Sequence, residues 1–310
     1  MKIVFCGTPQ FAVPTLERLI VENFDVSLVV TNPDEPRGRG YELKPPPVKE
    51  VAQKAGLTVF QPARLKDPEA EAVIAGVQPD AIVVVAYGHL IPPWMIGLPP
   101  LGCINLHASL LPRYRGAAPV AWAIMRGERV TGNTTMRIDA GMDTGDICLQ
   151  QELEIDEGDT AETLAARLSV MGAALTVETL RRLADHSIQP RPQNHQLATL
   201  APILKKEDGQ IDWAMPSHQI ACRVRGLQPW PVAHTSFRGT GLQIWVARPF
   251  EPTSSLQPGE LKAENRKLLT GCGGGTALEL MEVQAEGRKR IHGRDFVNGM
   301  RLRSGEKLEG

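Results

Sequence analysis

Aromatic residues are scarce in this sequence: 7 Phe, 5 Trp and 3 Tyr among 310 residues. Proteins that bind single-stranded nucleic acid by stacking need aromatics interleaved with cations along a groove. The C-terminal third shows no such interleaving, and its Trp213, Trp230, Phe237 and Trp245 read as core as readily as platform. Long apolar runs are missing too. The 29 Gly and 25 Pro interrupt the hydrophobic content, and nothing approaches the roughly 20 apolar residues of a membrane-spanning helix. The first residues, MKIVFCG, enter a strand-like run with no cationic leader and apolar signal core. Neither membrane insertion nor secretion is expected. Cysteine is limited to Cys6, Cys103, Cys148, Cys222 and Cys272. Their irregular spacing offers neither a disulfide framework nor a CxxC metal clip, which predicts buried, reduced thiols in a cytoplasmic protein and no bound metal.

Charge of one sign is also lacking, since the formal net charge is −1. The average hides an asymmetry: residues 204–310 carry 16 Lys+Arg against 12 Asp+Glu, and residues 1–203 carry 18 against 23. A basic C-terminal part on an acidic larger one is compatible with an anionic partner. Three catalytic or phosphate-binding signatures are absent. The turn after the first strand reads Gly7-Thr8-Pro9-Gln10-Phe11-Ala12, without the later glycines of GxGxxG, and Pro9 removes an N–H that a pyrophosphate would use. Neither a P-loop nor a GxSxG nucleophile elbow occurs. Nicotinamide chemistry, P-loop phosphoryl transfer and elbow-type hydrolysis are thereby disfavoured.

What is present alternates in period. Residues 2–6, 25–30, 57–60, 81–86 and 102–107 read as strands, and 11–21, 48–55, 67–75 and 118–125 as helices. Residues 81–86 (AIVVVA) are apolar throughout, as a parallel strand covered on both faces must be. This alternation predicts an open, doubly wound, mostly parallel α/β sheet. Residues 131–138 and 147–155 add two strands with no helix between them, hence an antiparallel extension whose tip is the loop 139–146. A helix over 160–183, capped by Thr160, closes a first domain, residues 1–189. Residues 190–203, with Pro190, Pro192 and Pro202, form a linker. Residues 204–310 hold one helix (216–226) and short strands, including a hairpin at Gly271–Gly275, and predict a small OB-like β-barrel. Residues 31–47 (TNPDEPRGRGYELKPPP) have no helical or strand period. A segment of that kind in a compact domain tends to be a lid, a binding loop or a disordered insert, and its Arg37, Arg39 and Lys44 suit phosphates.

The segment 102–116, GCINLHASLLPRYRG, breaks a rule. A strand inside an α/β sheet should be apolar on both faces. Here Asn105 and His107, two residues apart, point to one side. Ligands in such sheets bind outside the carboxyl ends of the strands, where this exception falls. An Asn amide donates to an oxygen that becomes negative during acyl or formyl transfer. A His donates to the same oxygen when charged, or shuttles a proton when neutral. A carboxylate is then wanted to orient the ring. The loop 139–146 offers Asp139, Asp143 and Asp146, among which spacing does not choose.

Taken together, Asn105-Leu106-His107, then Ser109-Leu110-Leu111-Pro112-Arg113-Tyr114-Arg115-Gly116, then Gly141-Met142-Asp143-Thr144-Gly145 resemble, in order, the motifs of the folate-dependent formyltransferases. FCGTPQFAVPTLERL at the start, VVVAYGHLIP at 83–92, Ile211–Trp213 and Pro229–Pro231 extend the resemblance over nearly the whole chain. It implies transfer of the formyl group of 10-formyltetrahydrofolate to the α-amine of methionine esterified to initiator tRNA. Asn105 and His107 would stabilise the oxyanion, and Asp143 would hold His107 charged. Val85, Tyr87, Gly88, Ser109, Leu110, Leu111 and Pro112 would line the folate pocket, and Arg37, Arg39 and Lys44 would meet the tRNA, with the barrel contacting it as well. The resemblance further implies no metal and no covalent enzyme intermediate; a monomer is expected. A glycinamide-ribonucleotide formyltransferase would usually lack the barrel. A sugar-nucleotide enzyme gives no reason for the Arg-Gly-Arg loop. A non-catalytic RNA-binding barrel leaves Asn105, His107 and Asp143 without a purpose.

Overall fold

The computed structural model describes residues 1–37, 42–251 and 255–309. It divides into two compact units, one of residues 1–116, 130–154 and 165–201, the other of residues 117–129, 155–164 and 202–310.

In the first unit, strands β1 (Lys2–Gly7), β2 (Asp25–Val30), β3 (Glu35–Arg37), β4 (Glu42–Lys44), β5 (Val59–Phe60), β6 (Ala81–Val85), β7 (Cys103–His107), β8 (Val130–Arg137) and β9 (Ile147–Glu154) follow one another. Helices α1 (Val13–Val21), α2 (Pro47–Lys54), α3 (Pro68–Val77) and α4 (Pro93–Ile96) are interposed. Seven strands form one sheet in the order β5-β2-β1-β6-β7-β8-β9. The first five are mutually parallel, and β8 and β9 extend the sheet antiparallel. The chain winds outward from β1 in one direction and from β6 in the other, so the crevice between these two is the topological switch point.

Alternation along each strand sorts side chains to two faces. Phe5, Val83, Val85, Ile104 and Leu106 join Leu16 and Leu19 of α1, Val48 and Ala52 of α2, and Val177 and Leu180 of α6 (Ala161–Ala184). That helix follows α5 (Pro119–Met125) in the chain. Val4, Cys6, Ile82, Val84 and Cys103 join Ile74 of α3 and Met95 of α4. Covered on both faces, β6 is buried along its whole length, which is why its sequence carries no polar residue. Thr160 caps α6 by accepting the Thr163 N–H at 3.2 Å.

Residues 31–47 depart from the unstructured loop expected of them. Glu35–Arg37 and Glu42–Lys44 pair as a short antiparallel hairpin, Glu35 opposite Lys44 and Pro36 opposite Leu43. Three-residue strands are too short for a period to be read. Its base is tied to the sheet: Asp34 accepts from Lys49 Nζ and Gln61 Nε2, each at 2.8 Å, and Gln61 also donates to the Asn32 carbonyl at 2.7 Å. These donors, Gln61 first and Lys49 next, hold the Asp34 carboxyl below its usual range. Arg37 ends the first strand of the hairpin and Lys44 the second, while Arg39 lies outside the described residues.

The second unit has β10 (Ala233–Phe237), β11 (Thr240–Phe250), β12 (Leu261–Glu264), β13 (Lys267–Gly271), β14 (Ala277–Ala285) and β15 (Ile291–His292), with α7 (Ser217–Gly226) and α8 (Gly293–Met300). Its six-stranded antiparallel sheet runs β10-β11-β14-β13-β12, with β15 beside β14, and is the small OB-like domain expected. Trp213 and Phe237 are core, packed with Ile244, Leu280, Val283 and Phe296. Trp230 is 56% exposed, and Trp245 lies under the Arg290 guanidinium, 4.9 Å from ring centroid to Cζ. No helix among the described residues is long and apolar enough to cross a membrane.

Candidate active site

The site is set by where β7 ends. Asn105 pairs in register with Val84 near the end of β6, and His107 continues beyond it, opposite Thr134 of β8. Ile104 and Leu106 are buried toward α1 and α6. Asn105 and His107 therefore emerge on the opposite side, at the C-terminal edge of the sheet.

The two polar side chains differ in how far their hydrogen-bonding capacity is spent. His107 is buried. Its Nε2 lies 2.9 Å from the Tyr114 carbonyl oxygen. A carbonyl only accepts, so Nε2 carries a proton and donates it. Its Nδ1 faces Asp143 Oδ2 at 3.6 Å. That separation suits an ion pair and is too long for a good hydrogen bond. The Asn105 side chain is partly exposed and has no hydrogen-bond partner among the described residues. An unspent amide thus stands beside a ring whose second nitrogen looks at a carboxylate.

The 139–146 loop gives its carboxylates different work. Asp139 closes its own turn, accepting from the Gly141 N–H at 3.0 Å and Thr144 Oγ1 at 2.7 Å. Asp143 instead turns to His107, and its Oδ2 also accepts the Gly116 N–H at 2.8 Å. Asp143 reaches this position with φ of 53°, in the left-handed region, which Asp tolerates better than most residues. Gly145 serves close approach, because a Cβ there would lie 1.8 Å from the Arg137 carbonyl oxygen.

The SLLP turn is stitched to the antiparallel extension. Ser109 is fully buried and its hydroxyl donates to the Arg113 carbonyl at 2.6 Å, so it caps the turn. Thr134 Oγ1 donates to the Ser109 carbonyl at 2.6 Å and accepts the Leu111 N–H at 3.0 Å. Gln150 Nε2 donates to the Leu111 carbonyl at 2.9 Å. Leu111 is buried, while Leu110 and Pro112 are half-buried.

On the neighbouring strand, β6 runs out at Val85, and Ala86 and Gly88 take positive φ. Tyr87 turns inward, its carbonyl accepting from Thr8 Oγ1 at 3.4 Å. Burial, and secondarily Cys6, pushes its phenol well above the usual range. Gly88 and His89 are exposed, and Leu90 is 73% exposed. Cys103, one strand over, is no nucleophile, because burial pushes its thiol up to about 12. Among the described residues no group of His, Cys, Asp and Glu is arranged to hold a metal ion.

Four residues had no sequence signal: Tyr114, whose carbonyl fixes the His107 tautomer; Thr134 and Gln150, which hold the SLLP turn; and Gln193, buried in the stretch expected to be linker. Residues 191–201 are irregular chain with one 3-10 turn at His195–Leu197, tied to the site where Arg191 pairs Ile147 and Leu200 pairs Arg115.

A doubly wound sheet with an amide, an imidazole and a carboxylate gathered at its C-terminal edge suits group transfer to a nucleophile. Residues 1–180 match the formyl transferase family, and residues 203–301 match the C-terminal domain of formyl transferases. The chain belongs to the formyl transferase family, in the branch of the methionyl-tRNA formyltransferases. It is similar to the methionyl-tRNA formyltransferase of Koribacter versatilis, 56% identical over 309 residues, covering 99% of this chain and 98% of that one. The enzyme of the same name from Solibacter usitatus is 53% identical over 308 residues, covering 99% and 98%. Among solved structures, the N-formyltransferase from Helicobacter canadensis, in complex with folinic acid and dTDP-3-aminofucose, has a TM-score of 0.69 at 18% identity. It covers 92% of this chain and 99% of its own, and that likeness is one of fold.

Proposed function

We propose that this chain transfers the formyl group of 10-formyltetrahydrofolate to the α-amine of methionyl-initiator tRNA, giving N-formylmethionyl-tRNA. Its full-length similarity to methionyl-tRNA formyltransferases supports the substrate pair. The observation that carries the chemistry is the Asn105 amide, without a partner among the described residues, beside His107 and its Asp143. Five free cysteines, four of them buried, suit a reducing cytoplasm.

The bound folate supplies the formyl carbon as electrophile at N10. Asn105 Nδ2 and His107 Nδ1 donate to the formyl oxygen as the amine attacks and negative charge gathers there. Asp143 pairs with the imidazolium and keeps the Nδ1 proton in place for donation. When the carbon–N10 bond breaks, N10 takes a proton and the attacking amine loses one, which leaves an amide and tetrahydrofolate. Val85, Tyr87 and Gly88 on one strand end, and Ser109–Pro112 after the next, are the walls assigned to the folate. Exposed Leu90 gives this edge an apolar surface for a flat ring. Ser109 acts there through the turn it caps, since its one hydroxyl proton is already donated to the Arg113 carbonyl.

The tRNA is assigned to Arg37, Arg39 and Lys44 of the 31–47 segment and to cations of the OB-like domain. In that domain Arg288 and Lys289 are exposed. Arg290 pairs with Glu282, and Arg294 faces Asp295 at 3.6 Å.

Purified protein given labelled 10-formyltetrahydrofolate should label methionyl-tRNA, and should leave free methionine and glycinamide ribonucleotide unlabelled in parallel reactions. Label on the ribonucleotide in place of the tRNA would overturn the substrate assignment. Replacing Arg37 and Arg39 together with Ala should raise KM for the tRNA. The slope of log binding constant against log salt should flatten by roughly 1–2, each phosphate contact contributing somewhat under one. An unchanged slope would remove the loop from the phosphate contacts.

A further inference from the structure

Gln193 is almost fully buried, at 6% exposure, in the irregular stretch after α6. Its Oε1 accepts from Arg115 twice, from Nε at 3.2 Å and Nη2 at 2.6 Å. Its Nε2 donates to the carbonyls of Asp143, at 2.9 Å, and Gly145, at 2.7 Å. The orientation of the amide is forced: a guanidinium only donates, so it must meet the oxygen, and two carbonyls only accept, so they must meet the nitrogen. Neither Glu nor Met could reproduce both ends. The guanidinium of Arg115 is itself buried, and its charge polarises the amide and strengthens the two bonds on the far side.

We infer that Gln193 is a positioning residue for the reaction, holding the Asp143 carboxylate against His107. The bonds close a circuit. Arg115 grips Gln193, and Gln193 grips the backbone on both sides of Thr144. The amide of Gly116, next to Arg115, binds Asp143 Oδ2. Asp143 is thus held at its carbonyl and at its carboxylate, while its backbone occupies the left-handed region. Released at the carbonyl end, the loop is free to rotate the carboxylate away from Nδ1. Burial alone gives no reason for an amide at 193, and Arg115 alone would be served as well by a carboxylate.

This inference rests on the proposed role of Asp143, and the test separates the two. Gln193→Met, Gln193→Glu, Asp143→Asn and the double variant Gln193→Met/Asp143→Asn are compared by kcat, by KM for both substrates and by thermal melting. Gln193→Met should lower kcat about 10- to 100-fold, the usual loss when a group that orients a site residue is removed, with both KM values within twofold. Gln193→Glu keeps the acceptor for Arg115 and loses the donors to the loop. Its second oxygen then faces two carbonyl oxygens, so it should melt somewhat below wild type and lose kcat. In the Asp143→Asn background the Met substitution should cost nothing further. A wild-type kcat for Gln193→Glu, or losses that multiply in the double variant, would overturn the positioning role and leave that of Asp143 standing. If Asp143→Asn itself turns over like wild type, both fall.

Discussion

Asp143→Asn should fold and melt like the wild type, bind tRNA normally, and lose on the order of 10³–10⁴ in kcat, the range seen when a carboxylate that orients a histidine is neutralised. The fold survives because the new amide oxygen can still accept the Gly116 N–H that Oδ2 accepts now at 2.8 Å. The loss follows from the His107 ring. With Nε2–H committed to the Tyr114 carbonyl, any second proton must sit on Nδ1, facing residue 143. A carboxylate favours that proton. A carboxamide that keeps the Gly116 N–H on its oxygen turns that same oxygen, now without its negative charge, toward Nδ1, so the ion pair that holds a proton there for the formyl oxygen is lost. Single-turnover kinetics with saturating methionyl-tRNA isolates this step from binding. A rate within a few-fold of wild type would falsify the role assigned to Asp143.

How legible this arrangement was depended on scale. Strand β6 declared itself because burial on both faces leaves five apolar residues in a row. β7 declared its function through the two residues that broke the rule. The α/β alternation located the first unit, and the turn glycines of 271–275 located the β13–β14 hairpin. The elements that escaped are short or lack period: the β3–β4 hairpin, the four-residue α4, strands β12 and β15, and α8, a second helix where residues 204–310 were expected to hold one. Choosing Asp143 over Asp139 and Asp146 from the residues alone was impossible, because the choice depends on which one the loop turns toward β7. Gln193 was illegible for a further reason. Its partners lie 78 and about 50 residues away, and only the tertiary fold gives a lone polar residue between prolines and turn formers a meaning. Residues 117–129 and 155–164 group with the C-terminal unit, a return of the chain that a linear reading cannot register.

Asn105→Ala should lower kcat by about 10²–10³, equivalent to roughly 3–4 kcal/mol, which is what one aimed oxyanion donor contributes. Stability should hardly change. The amide has no hydrogen-bond partner among the described residues, so truncation strands no buried group inside the protein. This is the reverse of the usual expectation for a polar residue on a central strand, whose loss leaves its partner unsatisfied. KM for the folate should stay nearly constant, because the bond to the oxygen strengthens only as negative charge develops there. Asn105→Asp is the sharper comparison. It matches the shape of the side chain, replaces a donor with an acceptor-only carboxylate and sets that charge against the developing one, so it should fall below the alanine variant. If the Asn105→Asp variant turned over faster than Asn105→Ala, the side chain would be filling space and not donating a hydrogen bond, and the electrostatic account of this edge of the sheet would have to be given up.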